Sequence, residues 1–198
     1  MITKVIFMRI STRQLNSLTC FFSLRGFTLT EMMVALIVLC ILVTLAIPSF
    51  LRLIVNTRMT TEANDFLTML HLTRSEAIKR NRRVTMCKSG DGISCSANGN
   101  WNQGWIIFVD DDTIGTREPT DALLRVRNAL STSSTLSGNL HLANYVSYLP
   151  NGQSKKANGA MQGGTLTLCS SMSSTKGRSI VIATGTGRPR IDTAYPDC

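Results

Sequence analysis

Arg188 and Arg190, separated by one proline and preceded by two glycines in Gly185-Thr186-Gly187-Arg188-Pro189-Arg190, are the side chains of this chain best suited to hold an anion. The glycines permit a tight turn after the apolar run Ser179–Thr184. Pro189 fixes its own φ and drives Arg188 into an extended conformation. Side chains alternate along extended backbone, so the two guanidinium groups face the same side, roughly 6.5–7 Å apart. That spacing suits two successive phosphates along one nucleic-acid strand, and each planar fork can grip a phosphate through two hydrogen bonds. Contacts of this kind position a duplex without reading its sequence. Lys176, Arg178, Lys155 and Lys156 qualify as auxiliary contacts by charge alone.

Other chemistries find little support. The two histidines, His71 and His141, have no Cys, Asp or Glu nearby at triad or ligand spacing. Asp110-Asp111-Asp112 lacks the alternating ligands and closing Glu of a calcium loop. No glycine-rich phosphate loop opens a helix. These absences point away from an enzyme and from any metal or cofactor.

The elements that position the arginines begin with an apolar run. Met32 to Ile47 carries no charge, and from Phe27 the stretch is 21 residues long, enough to span a bilayer as a helix. Its one charge is Glu31, and an acid in an apolar span is costly enough to imply a partner. The preceding segment is basic, with Lys4, Arg9, Arg13 and Arg25 and no acid. No small-residue cleavage site follows the run, so the natural cut falls before it, at Gly26–Phe27, and the helix stays in the product. The chain begins at Met1 or Met8 on this reading.

Beyond Pro48, Leu51, Val55, Met59, Ala63, Phe66, Leu70 and Ala77 recur at helical steps to about Arg83, with Glu62 and Asp65 off the stripe. Lys79, Arg80, Arg82 and Arg83 complement the dipole at its C-terminal end. From Val84 the period changes to short β-like runs: Val84–Cys87, Trp105–Val109, Leu123–Val126, Leu140–Tyr148, Thr165–Cys169 and Ser179–Thr184. Residues 131–138 read as a soft, mobile loop. The fold class is therefore α+β, antiparallel sheet packed on a long helix.

The whole sequence carries a net charge of +9. Without residues 1–26 it is 17 basic against 12 acidic residues, or +5, and unevenly spread. Residues 150–198 hold six Lys and Arg against Asp192 and Asp197, while acid gathers at Asp110–Asp112, Glu118 and Asp121. A basic end suggests a surface facing a polyanion; the bland alternative is solubilising charge. Cys20 leaves with the leader, and Cys40 reads as a small buried thiol in the apolar helix. Cys87, Cys95, Cys169 and Cys198 remain, an even number in a domain carried across a membrane, which indicates disulfides. Three pairings are possible, of which the local one, Cys87–Cys95 with Cys169–Cys198, is taken; Cys-x7-Cys does not match zinc spacing.

Gly26, Phe27, Glu31 and Pro48 together resemble the class III leader and N-terminal helix of type IV pilins. The resemblance implies cleavage after Gly26 by a prepilin peptidase and N-methylation of Phe27. It also implies pairing of Glu31 with a neighbouring subunit's amino terminus during filament assembly, and a helix bent or melted at Pro48. Domains follow: 1–26 a cleaved leader, 27–49 the transmembrane and filament-core helix, 50–198 the periplasmic or extracellular domain, with an amphipathic helix over 50–83 and a β-rich part over 84–198. Ser75-Glu76-Ala77-Ile78-Lys79-Arg80-Asn81, Cys87, Asp91-Gly92, Cys95, Trp101-x-x-Gly104-Trp105, Phe108 and Asp110 resemble the GspH/FimT group of minor pilins and pseudopilins. FimT-like members bind DNA through a C-terminal Gly-Arg-x-Arg motif, matched here by Gly187, Arg188 and Arg190. The resemblance thus implies a minor pilin that captures extracellular DNA, duplex by preference, for uptake in natural transformation. Its partners would be other pilins, prepilin peptidase, the inner membrane and, at a pilus tip, DNA. The alternatives it leaves open are a structural minor pilin and a GspH-like pseudopilin of type II secretion.

Overall fold

The computed structural model describes residues 26–139, 141–172, 176–192 and 196–198, apart from the side chain at position 48. The basic segment before Gly26 lies outside them. The chain divides into two units, Met1–Val43 and Thr44–Cys198.

One helix, α1, spans Leu29–Arg80. Its start is specified locally: Thr28 Oγ1 accepts the Glu31 backbone N–H at 3.3 Å, and Glu31 supplies the first-turn acid that favours a helix N-terminus. Every described residue of the first unit is exposed, Cys40 included. The expectation of a buried Cys40 therefore does not hold among the described residues of this unit. Backbone helix also continues through residue 48, so the helix is not melted at Pro48.

In the second unit the helix buries Met59, Ala63, Phe66, Leu70 and Ala77. Leu51, expected on that stripe, is 57% exposed, and burial starts with the half-covered Val55. Thr73 fills the slot between Leu70 and Ala77, its hydroxyl satisfied by the Met69 carbonyl at 2.7 Å. Glu62, expected off the stripe, is 8% exposed.

Two four-stranded antiparallel sheets cover this stripe. The first has the order β3-β2-β1-β5, with β1 Val84–Lys88, β2 Gly104–Val109, β3 Leu123–Asn128 and β5 Tyr145–Tyr148. The second has the order β4-β6-β7-β8, with β4 Ser134–Gly138, β6 Gly164–Ser170, β7 Arg178–Ile182 and β8 Pro189–Ile191. Both contribute to one core, where Phe66 meets Trp101 and Trp105 edge-on at 5.4 and 4.9 Å. Burying an aromatic ring of this size contributes about 2–3 kcal/mol, so these rings anchor the sheets to the helix. Disulfides join Cys87 to Cys95 and Cys169 to Cys198.

Residues 131–138, expected as a loop, contain β4. Ser134 and Leu136 are buried, and the strand pairs with β6 from Ser134↔Ser170 to Gly138↔Leu166. The ladder, rather than side-chain hydrophobicity, makes it a strand.

Candidate nucleic-acid interface

The Arg pair is presented by the β7–β8 hairpin. Antiparallel pairing matches Ile182 with Pro189 and Val181 with Arg190. The Ala183 amide donates to the Arg188 carbonyl and the Gly187 amide to the Ala183 carbonyl, at 3.0 and 2.9 Å, closing the turn. Pro189 is buried while Arg188 and Arg190 are exposed, so both guanidinium groups leave the same face. Among the described residues neither guanidinium has a hydrogen bond or ion pair. β8 is an edge strand, which suits a proline lacking an N–H.

Gly187 is required here for two reasons. Its φ is +66°, and a Cβ would lie 2.7 Å from the Ser154 nitrogen and 2.9 Å from the Gly152 carbonyl oxygen. The turn is thus seated on the backbone of residues 152–154, and Lys155 and Lys156 follow directly. Gly163 lies equally close to Thr184.

Strand registers place the end of β4, the start of β6, the end of β7 and the start of β8 together. The loops gathered there are 139–144, 149–163 and 183–188. Buried Gln162 ties two of them: its Nε2 donates to the His141 and Tyr145 carbonyls, and its Oε1 accepts from the Ser147 amide and the Ser154 hydroxyl, all at 2.8–3.1 Å. Lys155 and Lys156 are half-buried, and Lys156 Nζ touches His141 Nδ1. No Asp or Glu occurs anywhere between Ala122 and Ile191. Arg83 Nη1 donates to the Lys155 carbonyl and to Ser147 Oγ, and Thr85 Oγ1 lies between Ser147 Oγ and Asp110 Oδ2, so among the described residues the one carboxylate brought near these loops is the buried Asp110.

Lys176 and Arg178 sit elsewhere, at the opposite end of β7. Arg178 Nη2 donates to Asn56 Oδ1 at 2.5 Å, and its Nη1 to the Lys176 carbonyl, so this arginine ties the sheet to α1. Lys176 is exposed beside it. Cys198 is also at that end: the Gly177 amide donates to the Pro196 carbonyl, and a Cβ on Gly177 would meet Cys198 Sγ at 2.7 Å. The terminal disulfide therefore fastens the tail beyond β8, and the hairpin ladder with the 152–154 seat holds the arginines.

Two carboxylates beside the first sheet are engaged internally. Asp110 is 2% exposed; its Oδ2 accepts from Thr85 Oγ1 and the Gly115 amide, and burial pushes its carboxyl above the ordinary range. Exposed Asp91 caps a turn through the Ile93 and Ser94 amides and two serine hydroxyls, which hold it well below that range. Among the described residues no group of three His, Cys, Asp or Glu is placed to hold a metal. At the other end of the chain Gly26 and Phe27 precede α1, exposed, with Glu31 in its first turn.

Sequence reasoning missed three contributors to this geometry. Gln162 and Asn56 carry no motif. Thr28 did leave a signal, the Thr-x-x-Glu spacing of a helix cap.

Residues 62–186 match the family model described as type II transport protein GspH, over more than half of the chain. The chain belongs to the GspH family. Residues 24–47 match the prokaryotic N-terminal methylation motif. No curated protein sequence is significantly similar to this GspH-family chain. Among solved structures it is similar to the type IV minor pilin FimU of Pseudomonas aeruginosa, at 18% identity over 71% of this chain and 94% of that one, TM-score 0.54. A second crystal form of FimU gives 19% identity over 69% and 96%, TM-score 0.51. The minor pseudopilin EpsH of the Vibrio cholerae type 2 secretion system gives 14% identity over 68% and 96%, TM-score 0.47. At these identities the FimU likeness shows the fold: a long helix packed on antiparallel sheet. A GspH domain behind a methylation motif is the plan of a minor pilin or pseudopilin, a structural rather than catalytic class, and its apolar helix fits inner-membrane anchoring before incorporation into a filament.

Proposed function

We propose that this minor pilin binds extracellular DNA through Arg188 and Arg190, with Lys155 and Lys156 as flanking contacts, and serves DNA uptake from a pilus tip. The observation that carries this is the exposure of Arg188 and Arg190 on either side of buried Pro189, with neither guanidinium in a hydrogen bond or ion pair among the described residues. The resemblance of Gly187-Arg188-x-Arg190 to the FimT motif supports the same reading. A partner here would be gripped by its phosphates, so affinity is similar across sequences, falls steeply with salt, and lies in the range of about 10⁻⁴–10⁻⁶ M. Useful capture then depends on several subunits or repeated contacts. Prepilin peptidase would release Phe27 by cutting after Gly26, and Glu31 would register the subunit in the filament.

The test is fluorescence anisotropy with labelled duplexes of unrelated sequence, using the full chain in a non-ionic detergent at several salt concentrations. The Arg188→Gln/Arg190→Gln variant is expected to bind at least about tenfold more weakly, with a salt slope smaller by roughly two. Arg178→Gln, whose guanidinium is turned to α1, is expected to keep native affinity. Binding that selects one sequence, or that survives the double variant, rules the reading out.

A second reading is favoured by the family match itself: a structural subunit that primes or caps a filament, as a minor pilin or a GspH-like pseudopilin. It is separated by deleting the gene. Filaments that assemble while DNA uptake fails support capture; filaments that fail to assemble support the structural role.

A further inference from the structure

The loop between β2 and β3 folds over the first sheet: a Cβ on Gly115 would lie 2.7 Å from the Tyr145 ring, and Arg117 donates to the Ile93 and Asp121 carbonyls. Taken as a consecutive triplet, Asp110-Asp111-Asp112 has no calcium-loop spacing. Counted from Asp110, however, Asp112 is third, Gly115 sixth, Thr116 seventh, Glu118 ninth and Asp121 twelfth. These are the ligand places of a twelve-residue calcium loop, whose sixth residue is a glycine that makes the sharp turn. Gly115 makes it at φ +85°, and its amide donates to Asp110 Oδ2 at 2.9 Å. A separate observation lies at the centre of the loop. Asp110 is 2% exposed, and its Oδ1 is buried with no hydrogen-bond partner. Asp121 is buried as well; burial raises the Asp110 carboxyl most, and the Asp121 charge adds to it. The arginines nearby are spent on other groups: Arg82 on Asp111, Arg83 on Ser147 Oγ and the Lys155 carbonyl, Arg117 on the two carbonyls above. A buried carboxylate oxygen without a donor is costly unless a cation meets it.

We infer that residues 110–121 form a calcium site, with Asp110 Oδ1 at its centre and Asp112, Asp121 and the Thr116 carbonyl closing around the ion. The inference stands apart from the DNA-binding reading. Calcium is a hard cation that takes carboxylate and carbonyl oxygens in a flexible geometry, which suits a loop. Asp112 is exposed and Glu118 Oε1 is held by Thr113 Oγ1 at 2.8 Å, so three acids do not converge in advance of the ion. Binding draws Asp112 inward over the two buried carboxylates. Ile114 stands in the fifth place, where the pattern has a ligand, and Asp121 replaces the longer closing glutamate. Fewer ligands mean a weak site, in the range of extracellular modules at about 10⁻⁴–10⁻³ M. Magnesium demands near-octahedral geometry and parts reluctantly with its water, so it fits this loop poorly. An ordered loop would also fix Arg117, and through the Ile93 carbonyl the loop closed by Cys87–Cys95.

The test uses the full chain in non-ionic detergent, stripped with a chelator and melted with and without calcium chloride at fixed ionic strength. About 10 mM calcium is expected to raise the melting temperature of the native chain by roughly 3–8 °C. Magnesium chloride at the same concentration should give less than about a third of that shift. Asp112→Asn, altered at an exposed position and so expected to fold, should lose at least about half of the calcium shift, and Asp121→Asn likewise. Asp65→Asn, an exposed acid on α1, keeps it. Terbium(III), which takes the same oxygen ligands, gives a second readout: its luminescence, excited through the aromatic rings, should appear with the native chain, fall as calcium displaces it, and be weak with Asp112→Asn. No calcium shift in the native chain overturns the inference. So does a shift that magnesium matches, which marks simple screening of an acidic loop, or one that survives both Asp112→Asn and Asp121→Asn. None of these outcomes touches the DNA-binding reading, whose own variants lie on the other sheet.

Discussion

On the β3-β2-β1-β5 sheet most carboxylates of the adjoining loops have partners. Asp91 caps its own turn, Asp110 is buried against Thr85 and the Gly115 amide, Asp111 pairs with Arg82, and Asp121 accepts the Glu118 amide. On the β4-β6-β7-β8 sheet no strand or end loop carries an acid, and Arg188 and Arg190 find no partner among the described residues. The two sheets share a core, a helix and a backbone pattern. What separates them is where charge is neutralised. The first sheet turns most of its carboxylates to structure; the second leaves Arg188 and Arg190 to be satisfied from outside. Surface ion pairs contribute little to stability, so leaving the arginines unpaired costs the fold almost nothing.

The sheets also differ in how they are cross-linked, and the largest expected effect tests that. Cys169–Cys198 spans 29 residues of sequence and Cys87–Cys95 spans 8. Chain entropy assigns them about 3.5 and 2.5 kcal/mol. Cys169→Ser/Cys198→Ser is thus expected to destabilise more than Cys87→Ser/Cys95→Ser in denaturant titration. DNA affinity should survive the first change, because the hairpin and not the disulfide presents the arginines. If affinity collapses with it while the fold persists, the tail staple positions the site after all.

A smaller effect separates two glycines of the hairpin. Gly187→Ala meets both a positive φ and the Ser154 backbone, and is expected to cost about 2 kcal/mol and to weaken DNA binding. At Gly185 φ is +90° but the space around a Cβ is open. Gly185→Ala should therefore cost about 1 kcal/mol and leave affinity near native. Equal effects of both changes would mean that seating on residues 152–154 does not matter.

The smallest effect concerns the first sheet's carboxylates, which should respond to pH in opposite directions. Burial raises Asp110 in the folded chain, so its contribution is fully present below the unfolded carboxylate value of about 3.9 and is lost as pH rises through the folded value. Asp91 is lowered by hydrogen bonds from Ser94, Ile93 and Ser89, so its contribution is present above the unfolded value and is lost as pH falls towards the folded one. In melting curves between pH 3 and 7, Asp110→Asn should flatten the decline above pH 4, by at most about 4 °C. Asp91→Asn should flatten the decline on the acid side. Matching slopes in both variants would remove the distinction between buried and capping carboxylates.

The sequence by itself determined whatever depends on local pattern. The uncharged run from Met32 marks the apolar helix, and 3.6-residue spacing marks Met59 to Ala77 as its buried stripe. Apolar runs of β-branched and aromatic residues mark β1, β2 and β7. The Gly-Arg-Pro-Arg spacing puts both arginines on one face, because alternation in extended backbone is a local property. Tertiary structure alone decided the rest. β4 is poor in apolar residues and exists through its ladder to β6. Arg178, equal to Arg188 by charge, is turned to Asn56 from 122 residues away. Glu62 is drawn into cover that its spacing on the helix did not predict. Lys156 meets His141, and Gly187 rests on Ser154, only because strand registers bring three loops to one end. Residue type and spacing fix what a side chain is able to do; which of several like charges remains free to do it depends on partners distant in sequence, and only the folded chain supplies them.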